Sequence, residues 1–227
     1  MAIQFVNTTS NTTASAPNLD IAYAPTSGNF VAVWLVYLNS SNGFTSVTDN
    51  AGSVYQVAFQ DTGVAGNWCT ALYYTLNAKI GVTTITAAVP VNGIIAGIVA
   101  EFSGLSALDA VSSIKVQNTT THTTNAITPI PMVSELLLGW FFNSSNSNDF
   151  SAGGTSTFLL NQDAVGAGAD LAAVYEIISS TSGTYTANAT TSVAEDSWGY
   201  VTSFMAASTT ITGLGRKHQG FSYTYGG

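Results

Sequence analysis

A chain of 227 residues is long enough for one large all-β domain or two small ones, and at that size it buries roughly 70% of its unfolded surface without a covalent staple. Only 7% of the residues are charged, 4 Lys and Arg against 12 Asp and Glu, while 46% are hydrophobic and Ser, Thr, Asn, Gly and Ala stand in for the missing charges. The net charge of −8 and pI near 4.2 exclude nucleic acid and anionic membrane surfaces as partners, because no basic surface exists to displace counterions from phosphates.

The elements read as strands almost throughout. The start, Met1-Ala-Ile-Gln-Phe-Val6, lacks the basic and long apolar regions of an export signal, so synthesis in a host cytoplasm is expected. Phe30-Val-Ala-Val-Trp-Leu-Val-Tyr-Leu38 is a continuous β-branched and aromatic run that ends in the turn cluster Asn39-Ser-Ser-Asn-Gly43. Val82 to Val89 is rich in β-formers and closes at Pro90. Gly93 to Ala100 is the longest apolar run, far short of the roughly 20 residues of a membrane span, and Glu101 ends it. Ser103 to Val111 is expected to hold one short turn. Ser134 to Phe142 reads as a strand because of Gly139 and its aromatics, and Gly183 to Thr190 as another for its Thr and Tyr content. No convincing amphipathic helix occurs. The single cysteine, Cys69, cannot form an intrachain disulfide and reads as a small buried hydrophobe.

An internal repeat organises these strands. Asn39-Ser-Ser-Asn42 recurs as Asn143-Ser-Ser-Asn146, 104 residues later, each after a long apolar strand. Gln60-Asp61 matches Gln162-Asp163, Ala71-Leu-Tyr73 matches Ala173-Val-Tyr175, Gly97 matches Gly199 and Phe102 matches Phe204, all at an offset of 102. Two halves of four or five strands each fit an antiparallel jelly-roll-like β-sandwich, all-β, spanning residues 1–212. The half-repeats are about 1–108 and 109–212, with a seam near Asp109 to Thr124.

The residues offer little chemistry. His122 sits in a Thr-rich stretch and His218 near the end, with no metal spacing, and both read as solvated. No nucleophile elbow, phosphate loop or dinucleotide fingerprint is present. Glu101, Glu135, Glu176 and Glu195 are scattered, and the repeat places Ser203 where Glu101 stands, so no glycosidase-like pair is assigned. Asp49, Asn50, Asp61, Asp163 and Asp170 lie in or near loops without a calcium-loop pattern, so no catalytic, metal or cofactor site is assigned. Trp140 and Trp198 read as core. Trp68, flanked by Gly66-Asn67, is the best candidate for an exposed aromatic that could stack on a sugar. Six Asn-x-Ser/Thr sequons, the first at Asn7 and the last at Asn188, follow from composition.

Residues 213–227, GLGRKHQGFSYTYGG, differ in kind. They hold Arg216 and Lys217, half of all the cations, and no acid. Phe221, Tyr223 and Tyr225 alternate with Ser222 and Thr224, the period of a strand. These five residues are the candidate partner-binding set, on an extended arm that docks on an acidic neighbour by adding a strand to an open sheet edge.

The opening MAIQFV, the hairpin Val47 to Tyr55, the strand Ala71 to Tyr74, the strand end Val99 to Leu105 and the strand Ser134 to Gly139 resemble a set of β-sandwich proteins of bacteriophage and bacterial genomes. In phages these are virion parts, either tail or fibre proteins or capsid decoration proteins. The resemblance implies a sandwich over about residues 1–208 and carries no functional residue across. The expected function is therefore a non-enzymatic virion subunit, a homo-oligomer and most simply a trimer, whose partners are copies of itself and other virion proteins. Two alternatives stand beside it. One is a carbohydrate-binding module that uses Trp68 and loop Asn and Asp residues, with a glycan as partner. The other is an extracellular filament subunit joined by strand donation.

Overall fold

A computed structural model of the chain describes residues 2–39, 42–129, 134–144, 150–163, 169–179 and 183–208. Among these residues there are thirteen strands and no helix: β1 (Gln4–Ala22), β2 (Phe30–Leu38), β3 (Ser46–Asp49), β4 (Gln56–Val64), β5 (Trp68–Thr75), β6 (Thr84–Ser103), β7 (Leu105–Val111), β8 (Lys115–Thr123), β9 (Glu135–Asn143), β10 (Ser151–Ala152), β11 (Thr157–Asp163), β12 (Asp170–Ile178) and β13 (Asn188–Ala206). The apolar run before Glu101 is the centre of β6. The stretch Ser103 to Val111 is a strand end and a new strand rather than a lone turn, and Gly183 to Thr190 becomes a regular strand only from Asn188, with Tyr185 in an isolated bridge to Ile127.

The strands form two antiparallel sheets of matching order. The first runs β1-β6-β2-β5-β4, with β3 also on β6. The second runs β10-β13-β9-β12-β11, with β7 and β8 also on β13. Exchanging β2 for β9, β4 for β11, β5 for β12 and β6 for β13 turns one path into the other, and β7 and β8 together take the place of β1. The chain finishes one sheet before it starts the second, whereas a jelly roll passes back and forth between its sheets. The changeover is at Gly104, ahead of the seam read from sequence. Its φ is +80°, and a Cβ there would lie 2.4 Å from the Ala2 carbonyl oxygen, so only glycine fits.

Strand alternation divides the core in three. From β2, Phe30, Ala32, Trp34 and Val36 point into a core shared with Leu136, Leu138, Trp140 and Phe142 of β9. The other face of β2, Val31, Val33, Leu35 and Tyr37, packs on Leu19, Ile21, Val47, Ile85 and Ala87. That outer cover exists because β1 and β6 are long and bent. Residues 95–102 of β6 pair with β2, while residues 84–88 pair with the far end of β1, and 85–88 of them with β3, after register shifts between Thr13 and Asn18. The second half covers its own outer face in the same way, with Phe150, Ala187 and Ala189 over Phe141 and Val174. Gly139 makes this cover possible, because a Cβ there would sit 2.2 Å from that of Ala187. Each half thus closes its own outer face and leaves its inner face to be covered by the other half. This is why a run such as FVAVWLVYL is apolar on both sides.

The aromatic packing follows the same exchange. Tyr74 meets Phe204 edge-on at 5.2 Å and 68°, and Tyr175 meets Phe102 edge-on at 5.3 Å and 68°. Trp34 and Trp140, which occupy like positions in β2 and β9, meet each other at 5.5 Å. The fixed offset of 102 is not kept throughout: Ala71 faces the outer cluster whereas Ala173 faces the shared core.

Candidate functional site

Trp68 is not a surface platform. As the first residue of β5 it points inward with Leu72 and Tyr74, is 4% exposed, and meets Phe142 edge-on at 5.1 Å. The exposed Gly66-Asn67 beside it belongs to the turn, not to the face that the tryptophan occupies. Trp140 is fully buried, as expected from its strand. Trp198 is different: it is half-buried, tilted on Phe142 at 5.6 Å, with part of its ring open to a cleft. Cys69 is buried, and burial pushes its thiol up to about 11, well above a reactive thiol.

Several of the acids serve as acceptors that tie the chain to itself. Glu101, nearly fully buried, accepts hydrogen bonds from the Tyr23 hydroxyl at 2.7 Å, the Thr26 amide at 3.0 Å and the Asn29 side-chain amide at 2.6 Å. It clamps the link between β1 and β2. Asp49 caps the turn after β3 by accepting from the Ala51 amide at 2.9 Å and the Ser53 amide at 3.0 Å. Burial opposes its ionisation, but the bonds from the Ser53 side chain and the turn amides outweigh that and hold its carboxyl below the ordinary value. Glu195 accepts from Asn143 at 2.6 Å, Asp196 from Asn118 at 2.9 Å and Glu176 from Thr155 at 2.8 Å. Among the described residues no three His, Cys, Asp or Glu side chains gather as a metal set.

His122 is a core residue rather than a solvated one. Val116, Asn118 and Thr120, of the same parity on β8, are exposed, and His122 turns inward past the irregularity in the pairing with β13, where its ring meets Phe150 edge-on at 5.4 Å. Its Nε2 lies 2.9 Å from Thr191 Oγ1 and its Nδ1 2.5 Å from Ser197 Oγ. The Thr191 hydroxyl donates onward to the Val193 carbonyl at 2.8 Å, so Thr191 accepts from Nε2–H and Ser197 donates to Nδ1. The neutral ring is fully satisfied and holds β8 against β13 where their register shifts between Thr190 and Glu195. Burial lowers its proton affinity below the usual 6.5. A histidine lowered in the folded state favours unfolding once the unfolded chain begins to bind its proton. The contribution of His122 to stability should therefore be constant above pH 6.5 and fall as acid is added below it. Urea midpoints at pH 7.5 and 5.5 should differ more for the wild type than for His122→Gln, and equal differences would show that this ring does not contribute.

The open feature lies where the edge strand β4 overhangs the second sheet. β4 pairs with β5 alone among the described strands. Its inner face presents Phe59, Asp61 and Val64 towards β13. Phe59 stacks on Tyr200 at 4.2 Å and 11°, and the Tyr200 hydroxyl donates to Asp61 Oδ2 at 2.7 Å, a bond that joins the two halves. Burial, and then this bond to a carboxylate, raise the Tyr200 phenol far above its ordinary value, so it remains a donor. Beyond Asp61 lies a cleft of about 360 Å³ lined by Thr62, Val64 and Ala65 from the first half and Ile114, Val116 and Trp198 from the second. Ala65 has φ +49°, the sole non-glycine residue in the left-handed region among those described, and stands between Gly63 at +72° and Gly66 at +79°. Holding a non-glycine residue there costs about 1–3 kcal/mol, strain of a kind that gathers at binding sites. The cleft offers an aromatic wall, an aliphatic rim and one carboxylate.

Sequence reasoning placed Asp61 near a loop and Trp198 in the core, and joined neither to the other. The signal available was parity, since Trp198, Tyr200 and Phe204 share one face of β13. Arg216, Lys217, Phe221, Tyr223 and Tyr225 lie outside the described residues. Comparison of the chain with protein-family models, with curated proteins and with solved structures finds no match in any of the three.

Proposed function

We propose that the chain is a non-enzymatic structural subunit of a virion, a capsid decoration protein or a tail or fibre subunit, that assembles with copies of itself and with other virion proteins. The observation that carries this reading is the combination of a nearly charge-free chain with a scaffold that, among the described residues, has no helix and has edges, β4 and β11, bonded on one side only. Desolvating a charge at an interface is costly unless it is paired. With 7% charged residues, large subunit contacts meet little of that cost. Soluble proteins that stay alone blunt their open edges with charge, and these edges are sparsely charged. Glu101, Glu195 and Asp61 are engaged as internal acceptors, which supports a binding rather than a catalytic role for them. The carbohydrate reading loses the platform on which it rested, because Trp68 is buried.

The test is quantitative mass spectrometry of purified particles from the host that encodes this chain. The expected result is tens to hundreds of copies per particle. Its absence from particles, with the protein abundant in the same lysate, would overturn the reading.

A further inference from the structure

The exchange that relates the two sheets makes β4 and β11 equivalent edges, yet only one of them has an indole beside it. Gly97 and Gly199, each paired in register with a bulky outward residue, Leu35 and Phe141, fix the correspondence of β6 with β13. By that correspondence Ala96 stands where Trp198 stands, so the aromatic wall at β4 has no counterpart at β11. A strand added at β4 finds a pocket for its side chains, and that combination of free edge and adjoining pocket is what strand-addition recognition needs.

We propose that the edge of β4 and the Trp198 cleft form the receptor for the arm, residues 213–227, of a second copy of this chain. The inference deepens the assembly reading above and rests on it. Three features of the chain fit the occupant to the site. The arm holds two of the four cations and none of the twelve acids, and the cleft holds a carboxylate and no cation. Asp61 Oδ2 is engaged by Tyr200, while Oδ1 faces no hydrogen-bond donor among the described residues and is available to Arg216 or Lys217. Phe221, Tyr223 and Tyr225 fall on one face of an extended strand, roughly 6.6 Å apart. The cleft, walled by Trp198 and rimmed by Val64, Ile114 and the exposed Val116, has room for an aromatic anchor of that kind. The direction of the chain favours a neighbour. β13 carries the backbone from Trp198 to Ala206, eight residues and roughly 26 Å away from the cleft, so an arm that continues outward meets another copy, while one that serves its own cleft must double back. A single receptor per chain makes the contact head-to-tail, which closes into a ring or extends as a filament.

The test uses two full-length variants with one added cysteine each, Val116→Cys and Tyr223→Cys, mixed and oxidised, with Ile80→Cys as an exposed control. Cys69 is buried and stays silent. The expected result is a disulfide-linked dimer between the cleft and arm variants and none between the control and the arm variant. A parallel sedimentation series with Val116→Asp should weaken association by at least roughly tenfold with an unchanged thermal midpoint, as loss of a buried anchor does. A chain that is multimeric by sedimentation but yields no such cross-link and ignores Val116→Asp overturns the receptor while leaving assembly intact. A cross-link formed only when both cysteines are on one chain overturns the exchange between copies. A chain monomeric at every concentration overturns both the receptor and the assembly reading.

Discussion

Replacing Trp140 with alanine should cost about 4 kcal/mol of folding stability, the range found for deleting a large buried aromatic. Trp140 is fully buried and meets Trp34 at 5.5 Å, where like strands of the two sheets face each other. The loss should lower the thermal midpoint by about 10 °C in a domain of this size. Because the inner face of each half has only the other half to cover it, both halves should melt together, and hydrogen exchange should report one transition for β2 and β9. Phenylalanine variants give a finer reading. Trp34 Nε1 donates to Thr70 Oγ1 at 3.0 Å, while Trp140 Nε1 has no hydrogen-bond partner among the described residues. Trp34→Phe should therefore cost about 1 kcal/mol more than Trp140→Phe, the net worth of one hydrogen bond. Equal costs would show that the Thr70 bond adds nothing. A Trp140→Ala variant with wild-type stability would contradict the shared core.

Replacing Glu101 with alanine should cost about as much, for an electrostatic rather than a packing reason. Three donors, from Tyr23, Thr26 and Asn29, converge on one nearly buried carboxylate. Removing it strands all three: the buried Tyr23 hydroxyl bears the full cost of an unsatisfied donor, about 1–3 kcal/mol, while water relieves part of that cost for the exposed Thr26 and the half-buried Asn29. Glu101→Gln keeps the shape and one acceptor, and the Tyr23 hydroxyl can turn to accept from the new amide, so about half the loss should return. Chemical denaturation of the three proteins checks the order wild type, glutamine, alanine. If alanine and glutamine behave alike, the clamp works by volume and not by hydrogen bonding.

Much of the strand framework was legible because β-formers and turn residues alternate along this chain with little ambiguity. The runs at Phe30 and Glu135 became β2 and β9 within a residue of their expected ends. Which way each residue points was not legible there. A strand apolar on both faces carries no period of two, so FVAVWLVYL gives no clue that Trp34 faces the partner sheet and Leu35 its own cover. For the same reason a constant offset could pair Ala71 with Ala173, which face different cores. His122 was misread because its neighbours are threonines. A single inward polar residue in a polar strand leaves no mark on local composition, and its partners Thr191 and Ser197 are some seventy residues away. The cleft was illegible for a related reason: its walls come from residues near 62, 115 and 198, which only the packing of one half on the other brings together.

A low-charge scaffold built for assembly must associate with itself. Sedimentation velocity of the full chain from micromolar to hundreds of micromolar decides it most directly. The prediction is a mass that rises with concentration to a fixed multiple of 23.5 kDa, or continues to climb as a filament would. A single species at 23.5 kDa across that whole range would contradict it.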